Sequence, residues 1–394
     1  MKAEPAARVL VFNAGSSSLK FALFEGLKRL WYGQVEGIGT RPRFVPGGEA
    51  PAGRALPASS GHGAALEVIL GALADRGIAL DGIAACGHRI VHGGSRFVAP
   101  MRLDGSHLEQ LHALRALAPL HNRFGLESID ALVRIAGHLP QVACFDTAFH
   151  ATVPEVASRY ALPAELHEAG YRRFGFHGLS FEHATQVAAE RGGGRPPRRL
   201  LVFHLGNGCS IAAVREGRSV GTTMGYSTLD GLVMGTRCGA IDPGLLLALQ
   251  RDRGLSADAL EELLYRRSGL LGVSGRSSDM RELMRIDDAA CRFAIEHFCY
   301  WAARHAASLV VALGGLDAIA FTGGIGAGSP PVRARIIAQL DWLGFEIDTD
   351  RNGRNEPVLS SERSRNPVWL VEADEERVIA RHTQAALQLG QTAR

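Results

Sequence analysis

A strand, a small polar turn and a returning strand occur twice in this chain, far apart in sequence. Residues 8–13 (RVLVFN), 14–18 (AGSSS) and 19–25 (LKFALFE) read as a β-hairpin with a glycine-bearing tip. Residues 200–204 (LLVFH), 205–210 (LGNGCS) and 211–215 (IAAVR) reproduce the same order. Two copies of a tip of about phosphate size suggest two related domains facing one nucleotide between them. A third glycine-rich turn, 322–328 (TGGIGAG), follows the apolar run 318–321 (AIAF). A strand, a glycine turn and a helix in succession make a suitable place for a nucleotide.

Between these landmarks, apolar residues recur at helical spacing over 66–76, 108–117, 125–135, 180–191, 257–266 and 289–313, so the architecture is mixed α/β. At 394 residues the chain exceeds one ordinary core, and two domains are expected. The stretch 192–199 (GGGRPPRR) reads as a surface loop with a domain crossing upstream of it, and 375–389 as a final amphipathic helix packing back onto the first domain. An apolar share of 46% and a charged share of 21% fit a soluble globular protein, and no apolar run is long enough to cross a bilayer. The first residues lack the apolar stretch and cleavage site of a secretory signal, so a cytoplasmic location is expected. Net charge is only +3 without a basic run, which excludes the electrostatic footprint of a nucleic-acid binder and favours small-molecule partners. The six cysteines show no CxxC spacing and read as reduced, packed thiols.

Phosphoryl transfer needs N–H-rich turns, hard oxygen ligands and cations where charge builds, and little covalent chemistry. The chain has no GxxxxGK[ST] loop, and its lysines are Lys2, Lys20 and Lys28, so kinase chemistry would need another scaffold. The tip from Asn13 to Ser18 offers backbone N–H groups, hydroxyls and an amide oxygen suited to phosphate or hydrated magnesium, although such turns also satisfy their own backbone. Arg89, before a glycine pair, can clamp a carboxylate bidentately or form a surface salt bridge. Arg237 stands between glycines that allow close approach to a ligand. Asp146 ends a short apolar strand, and His177 lies in a tight aromatic turn; either can be structural or chemical.

Taken in order, VFNAGSSSLKF, GHRIVHGG, APLHN, FDTAFH, FGFHG, HLGNGCS, MGTRCGAIDP, FTGGIG and DEERVIAR resemble the run of motifs in the acetate kinases of the acetokinase family, over nearly the whole chain. The resemblance implies a two-domain actin-like (ribonuclease H-like) fold with a duplicated βββαβα-type core and a nucleotide cleft between the domains. Residues 1–150 with 376–394 would form the acid and phosphate domain, and 151–375 the nucleotide-binding domain. It implies reversible, ATP- and Mg²⁺-dependent phosphorylation of acetate by direct in-line transfer, with Mn²⁺ as an alternative ion and a homodimer as the assembly.

The same resemblance assigns Asn13 and Glu375 to magnesium, Arg89 and Arg237 to the acid and phosphoryl group, and His177 with Arg237 to the transition state. Asp146 matches the catalytic acid position and is expected to order Arg237 or a metal-bound water, because an ionised carboxylate nucleophile needs no general base. His204, Leu205, Gly206, Asn207, Gly208, Asp279, Met280, Arg281, Gly324, Ile325, Gly326, Ala327 and Gly328 fall around ATP, and Ser16, Ser18, Lys20 and His121 near the phosphates. Val91, Leu120, Phe176 and Thr228 would line the acid pocket. Thr228 replaces the family's usual proline, while Arg123, Phe124, Ala240, Ala327 and Gly328 replace other usual residues, which leaves acid length and nucleotide preference open. Two rivals stand beside acetate phosphorylation: a propionate or butyrate kinase, and a nucleotide-binding regulator that has lost transfer.

Overall fold

The computed structural model describes residues 7–48, 53–114 and 122–388. Leu120 and His121 lie outside the described residues. Strands β1 (Arg8–Ala14) and β2 (Ser18–Glu25) pair antiparallel, with Ala14 opposite Leu19, so the expected hairpin closes around Gly15 to Ser17. The meander continues through β3 (Lys28–Glu36), β4 (Arg43–Pro46) and β5 (Arg54–Ala55). Then come β6 (Ala85–Ile90), β7 (Met101–Arg102) and β8 (Gln141–Phe145). β6 lies parallel to β1 and β8 parallel to β6, while β7 runs antiparallel at the outer edge. The order among the described residues is β5-β4-β3-β2-β1-β6-β8-β7.

A second sheet repeats the centre of the first. β9 (Arg199–Leu205), β10 (Cys209–Arg215) and β11 (Arg218–Thr222) form an antiparallel meander. β12 (Ala318–Thr322) and β13 (Val368–Leu370) then add in parallel beside β9, giving β11-β10-β9-β12-β13. In both sheets three hairpin strands are followed, beyond the first of them, by two parallel strands. That is the duplicated core implied by the repeated sequence.

The chain divides into two compact units, one running to Phe149 and resuming at Asp374, the other spanning His150–Ala373. Glu375 therefore belongs to the first unit, not to the end of the second domain. The physical reason is local: the Asp374 carboxylate caps the helix Glu375–Ala386, accepting from the Arg377 N–H, and that helix packs on β1, β6 and β8. The helices Ala257–Arg266 and Ala289–Leu313 keep the bounds their periodicity predicts. The segment read as a third glycine turn is instead a short helix, Gly323–Gly328, starting directly after β12.

Strand pleating sorts β1 into two faces. Leu10, Phe12 and Ala14 enter one core with Phe21, Leu23, Leu66, Ile69 and Leu132, beneath the helices His62–Asp75 and Asn122–Ala136. The alternate residues, and their neighbours on β6, face the helix Glu375–Ala386. Gly87 marks how closely this helix approaches: a Cβ there would lie 2.2 Å from Thr383 Oγ1 and 2.7 Å from Ile379 Cγ2. Gly87→Ala should therefore destabilise the first unit by about 1–3 kcal/mol through overpacking, read as a lowered urea midpoint with little change in slope; an unchanged midpoint contradicts this packing.

Candidate active site

The same pleat places Asn13 and Arg89 together, because Phe12 is opposite His88 in the β1–β6 register and the next residue of each strand turns to the other face. The Arg89 guanidinium is gripped by Asp146, which follows β8: Nε donates to Oδ1 and Oδ2 at 3.0 Å each, and Nη2 donates to Oδ2 at 2.6 Å. Its Nη1 donates to Asn13 Oδ1 at 3.2 Å. Asn13 in turn donates from Nδ2 to Glu375 Oε2 at 2.9 Å and to Glu376 Oε1 at 3.0 Å. Asp146 is only 1% exposed. Burial draws the Arg89 pKa down, but the fields of Asp146 and Glu375 outweigh it and hold it above the ordinary guanidinium value. Asp146 thus orders Arg89.

Three carboxylates face one guanidinium in this cluster. Glu375, Glu376 and the Asn13 amide supply hard oxygens, the type of donor that a hydrated divalent cation takes. Ser16 is exposed and Ser18 half-buried at the hairpin tip, while Lys20, opposite Asn13 in the register, is exposed. Val91, just beyond β6, is buried.

In the second unit, β9 and β10 close around Gly206 to Gly208 with Ser210 opposite His204. The helix Gly178–Arg191 begins over these two residues. His177, its N-cap, adopts φ 59° and ψ 24°. Its Nδ1 pairs with Ser210 Oγ at 2.7 Å, its ring stacks on His204 at 4.2 Å, and His204 Nδ1 pairs with Ser180 Oγ at 2.8 Å. A Cβ on Gly208 would lie 3.0 Å from His177 Nε2 and 3.7 Å from Arg237 Nη1, so the imidazole and the guanidinium converge on the bare hairpin tip. The Arg237 loop is seated on Gly269 (φ 63°), where a side chain would come within 2.2 Å of the Met234 carbonyl. Arg237 donates to the Thr228 carbonyl at 3.1 Å and to Met234 Sδ at 3.7 Å, and it pairs with no carboxylate among the described residues. Burial lowers its pKa from the ordinary guanidinium value. Phe176 and Thr228 are both buried.

Beside this tip lies a pocket of about 430 Å³ lined by Gly206, Asn207, Ser278, Asp279, Met280, Arg281, Gly324, Ile325, Gly328 and Ser329. Most of the residues expected around ATP are among them. Leu205 and Gly326 are instead buried beneath the wall, and His204 and Gly208 belong to the histidine cluster. Ala327 does not line the pocket.

Residues 8–381 match the acetokinase family. This chain belongs to it. An acetate kinase of Rhodopseudomonas palustris is 44% identical over 386 residues, covering 95% of this chain and 97% of that protein. Among solved structures, a propionate kinase from Francisella tularensis superposes with a TM-score of 0.91 at 39% identity, covering 96% of this chain and 99% of that one. The acetate kinase of Porphyromonas gingivalis gives 0.88 at 34% identity, covering 97% and 100%. The actin-like fold is shared with these acetokinase-family enzymes.

Three contact residues of this acetokinase escaped the sequence reading. Glu376 carries a signal, since two successive acids open the final helix. Ser210 is legible only once the hairpin register sets it opposite His204, and Ser180 only once the helix start is fixed. His150 holds the Phe176 carbonyl at 2.9 Å and Ser219 Oγ at 2.8 Å, and burial pushes its pKa down from 6.5 to about 4. Above pH 6.5 the ring is neutral folded or unfolded. As pH falls from 6.5 towards 4, the unfolded chain takes a proton that the folded ring refuses, so stability falls, by up to ~1.4 kcal/mol per pH unit for this group. His88, also pushed down to about 4 by burial, acts in the same direction. Urea midpoints measured from pH 7.5 to 4.5 should decline, and His150→Gln should make that decline shallower; equal slopes contradict a neutral buried ring.

Proposed function

We propose that this acetokinase transfers the γ-phosphoryl group of ATP reversibly to the carboxylate of acetate, giving acetyl phosphate and ADP. The single observation that carries the reading is Arg237, a half-buried guanidinium with no carboxylate partner among the described residues, set beside His177 at a glycine tip. Such a cation is held ready for an anion that the ligand supplies. The names of the relatives above supply the acid and the reaction.

In the step proposed, a carboxylate oxygen of acetate forms the new bond to the γ-phosphorus while the bridging bond to ADP breaks and its electron pair leaves with ADP. No proton needs to move. Arg89, fixed in direction by Asp146, is assigned to the substrate carboxylate, and Arg237 with His177 to the equatorial oxygens of the phosphoryl group in flight. Asn13, Glu375 and Glu376 would hold Mg²⁺, which when bound offsets the charge of the phosphate oxygens. The pocket between Gly206, Met280 and Gly324 is assigned to the nucleotide, and Val91, Phe176 and Thr228 to the methyl end of the acid. Ser16, Ser18 and Lys20 are assigned to the phosphates.

Propionate is the second reading, favoured by one observation, the likeness to the Francisella tularensis propionate kinase at 39% identity. We further assign the protein to the cytoplasm; no helix among the described residues is long and apolar enough to cross a membrane. A homodimer fits the exposed Phe293, Tyr300 and Val311 on the long helix Ala289–Leu313, apolar surface that a second copy would cover.

Two measurements test the reading. Trapping acyl phosphate as hydroxamate across formate, acetate, propionate and butyrate, with ATP or GTP, should give highest kcat/KM for acetate with ATP; no acyl phosphate from any acid overturns the assignment. Arg237→Ala should lower kcat by roughly two to three orders of magnitude while ATP affinity stays within about threefold. Turnover like the parent's would remove Arg237 from the chemistry.

A further inference from the structure

Arg333 heads the largest fully buried side chains, and it is a cation with no carboxylate beside it among the described residues. It projects from the helix Pro330–Ala338. Nε donates to Asn352 Oδ1 at 2.8 Å, and Nη1 donates to the carbonyls of Gly326 and Ala327 at 2.8 Å each. Nη2 donates to the Asn352 carbonyl at 2.9 Å and to Asn355 Oδ1 at 2.7 Å. Every acceptor is neutral. Burial pulls the guanidinium pKa down to about 10, which still leaves the charge in place at neutral pH. A buried charge without a counter-ion is costly, so its retention asks for a reason beyond packing.

The reason lies in what the fork holds. Gly326 and Ala327 form the far end of the helix Gly323–Gly328, and Gly324, Ile325 and Gly328 of that helix line the pocket beside the hairpin tip. Six residues of sequence GGIGAG are too short and too glycine-rich to keep helical form unaided. The last carbonyls of a helix need donors from outside it, and here one guanidinium supplies them. Asn352 is itself tied down, donating from Nδ2 to the Pro330 carbonyl at 2.9 Å, so the fork is anchored at both ends.

We propose that Arg333 is a positioning residue for the nucleotide, whose planar fork clamps the Gly323–Gly328 helix as one wall of the pocket. This rests on the reading of that pocket as the nucleotide site. The role depends on divergent donors in a fixed plane, and lysine, with one ammonium on a flexible stem, cannot reproduce it.

The test uses the full-length enzyme with Arg333→Lys and Arg333→Met, checked for native circular dichroism. Calorimetric Kd for ATP and ADP should rise by about tenfold to a hundredfold in both variants, and KM for ATP with it. KM for acetate should stay within about twofold and kcat at saturation within about threefold. A merely structural role would lower the melting temperature and the active fraction equally for both substrates. A folded Arg333→Lys with parental nucleotide Kd, or an equal rise in both KM values, overturns the clamp. Should neither variant fold, Asn355→Gly removes one acceptor while suiting that residue's φ of 54°. It should raise the ATP Kd about two- to tenfold, and an unchanged Kd overturns the proposal. Acetyl phosphate formation by the parent, measured alongside, separates the two levels: a parent that turns over with unaffected variants defeats the clamp alone, and a parent that makes no acyl phosphate defeats the reading beneath it.

Discussion

The parallel pairing of β1 with β6 fixes which side chains can meet in the first unit. Side chains alternate across a pleated sheet, so a register that buries Leu10 and Phe12 beneath two helices must turn Asn13 and Arg89 to the opposite face. The helix Glu375–Ala386 covers that face and starts there, which brings two carboxylates to Asn13. A slip of one residue would put the amide into the apolar core and Phe12 against the acids. The second hairpin obeys the same rule: His204 occupies the place of Asn13 in the repeated strand, and the start of the helix Gly178–Arg191 lies over it.

From one plan the two units build opposite electrostatics. The first surrounds a single guanidinium with carboxylates. The second exposes a hairpin tip to a guanidinium and an imidazole, with no acid paired to Arg237 among the described residues. The Arg89–Asp146 pair is better understood as orientation than as stabilisation, since removing two charges from water offsets most of their attraction. What the bidentate grip secures is the direction of the remaining nitrogens, and direction is what an acid-binding arginine must supply.

Much of this was legible in the sequence. The hairpins announced themselves through short apolar runs and glycine tips, and the helices through periodicity that set both ends of Ala257–Arg266 and Ala289–Leu313 but missed the first turn of His62–Asp75 and Asn122–Ala136. The helix Pro243–Arg253 gave no such signal because none of its residues is buried, so it has no apolar stripe to read. GGIGAG read as a turn because glycine opposes helix locally, and the force that overrides it is a tertiary grip by Arg333 from the following helix. The grip of Asp146 on Arg89 was not legible for a related reason. Which arginine a carboxylate holds depends on strand order, and β6 lies beside β8 only after the sheet is assembled.

His177 shows how backbone and chemistry can narrow the choice at one position. Its left-handed φ is readily adopted by glycine, asparagine, aspartate and histidine, and strongly disfavoured for branched or bulky residues. Of these four, histidine alone carries an aromatic ring to lie against His204 and a second ring nitrogen beyond the one bonded to Ser210. Drift at this site is therefore closed from two sides at once: a replacement acceptable to the chain's geometry forfeits the ring, and one that restores a ring strains the bend that starts the helix.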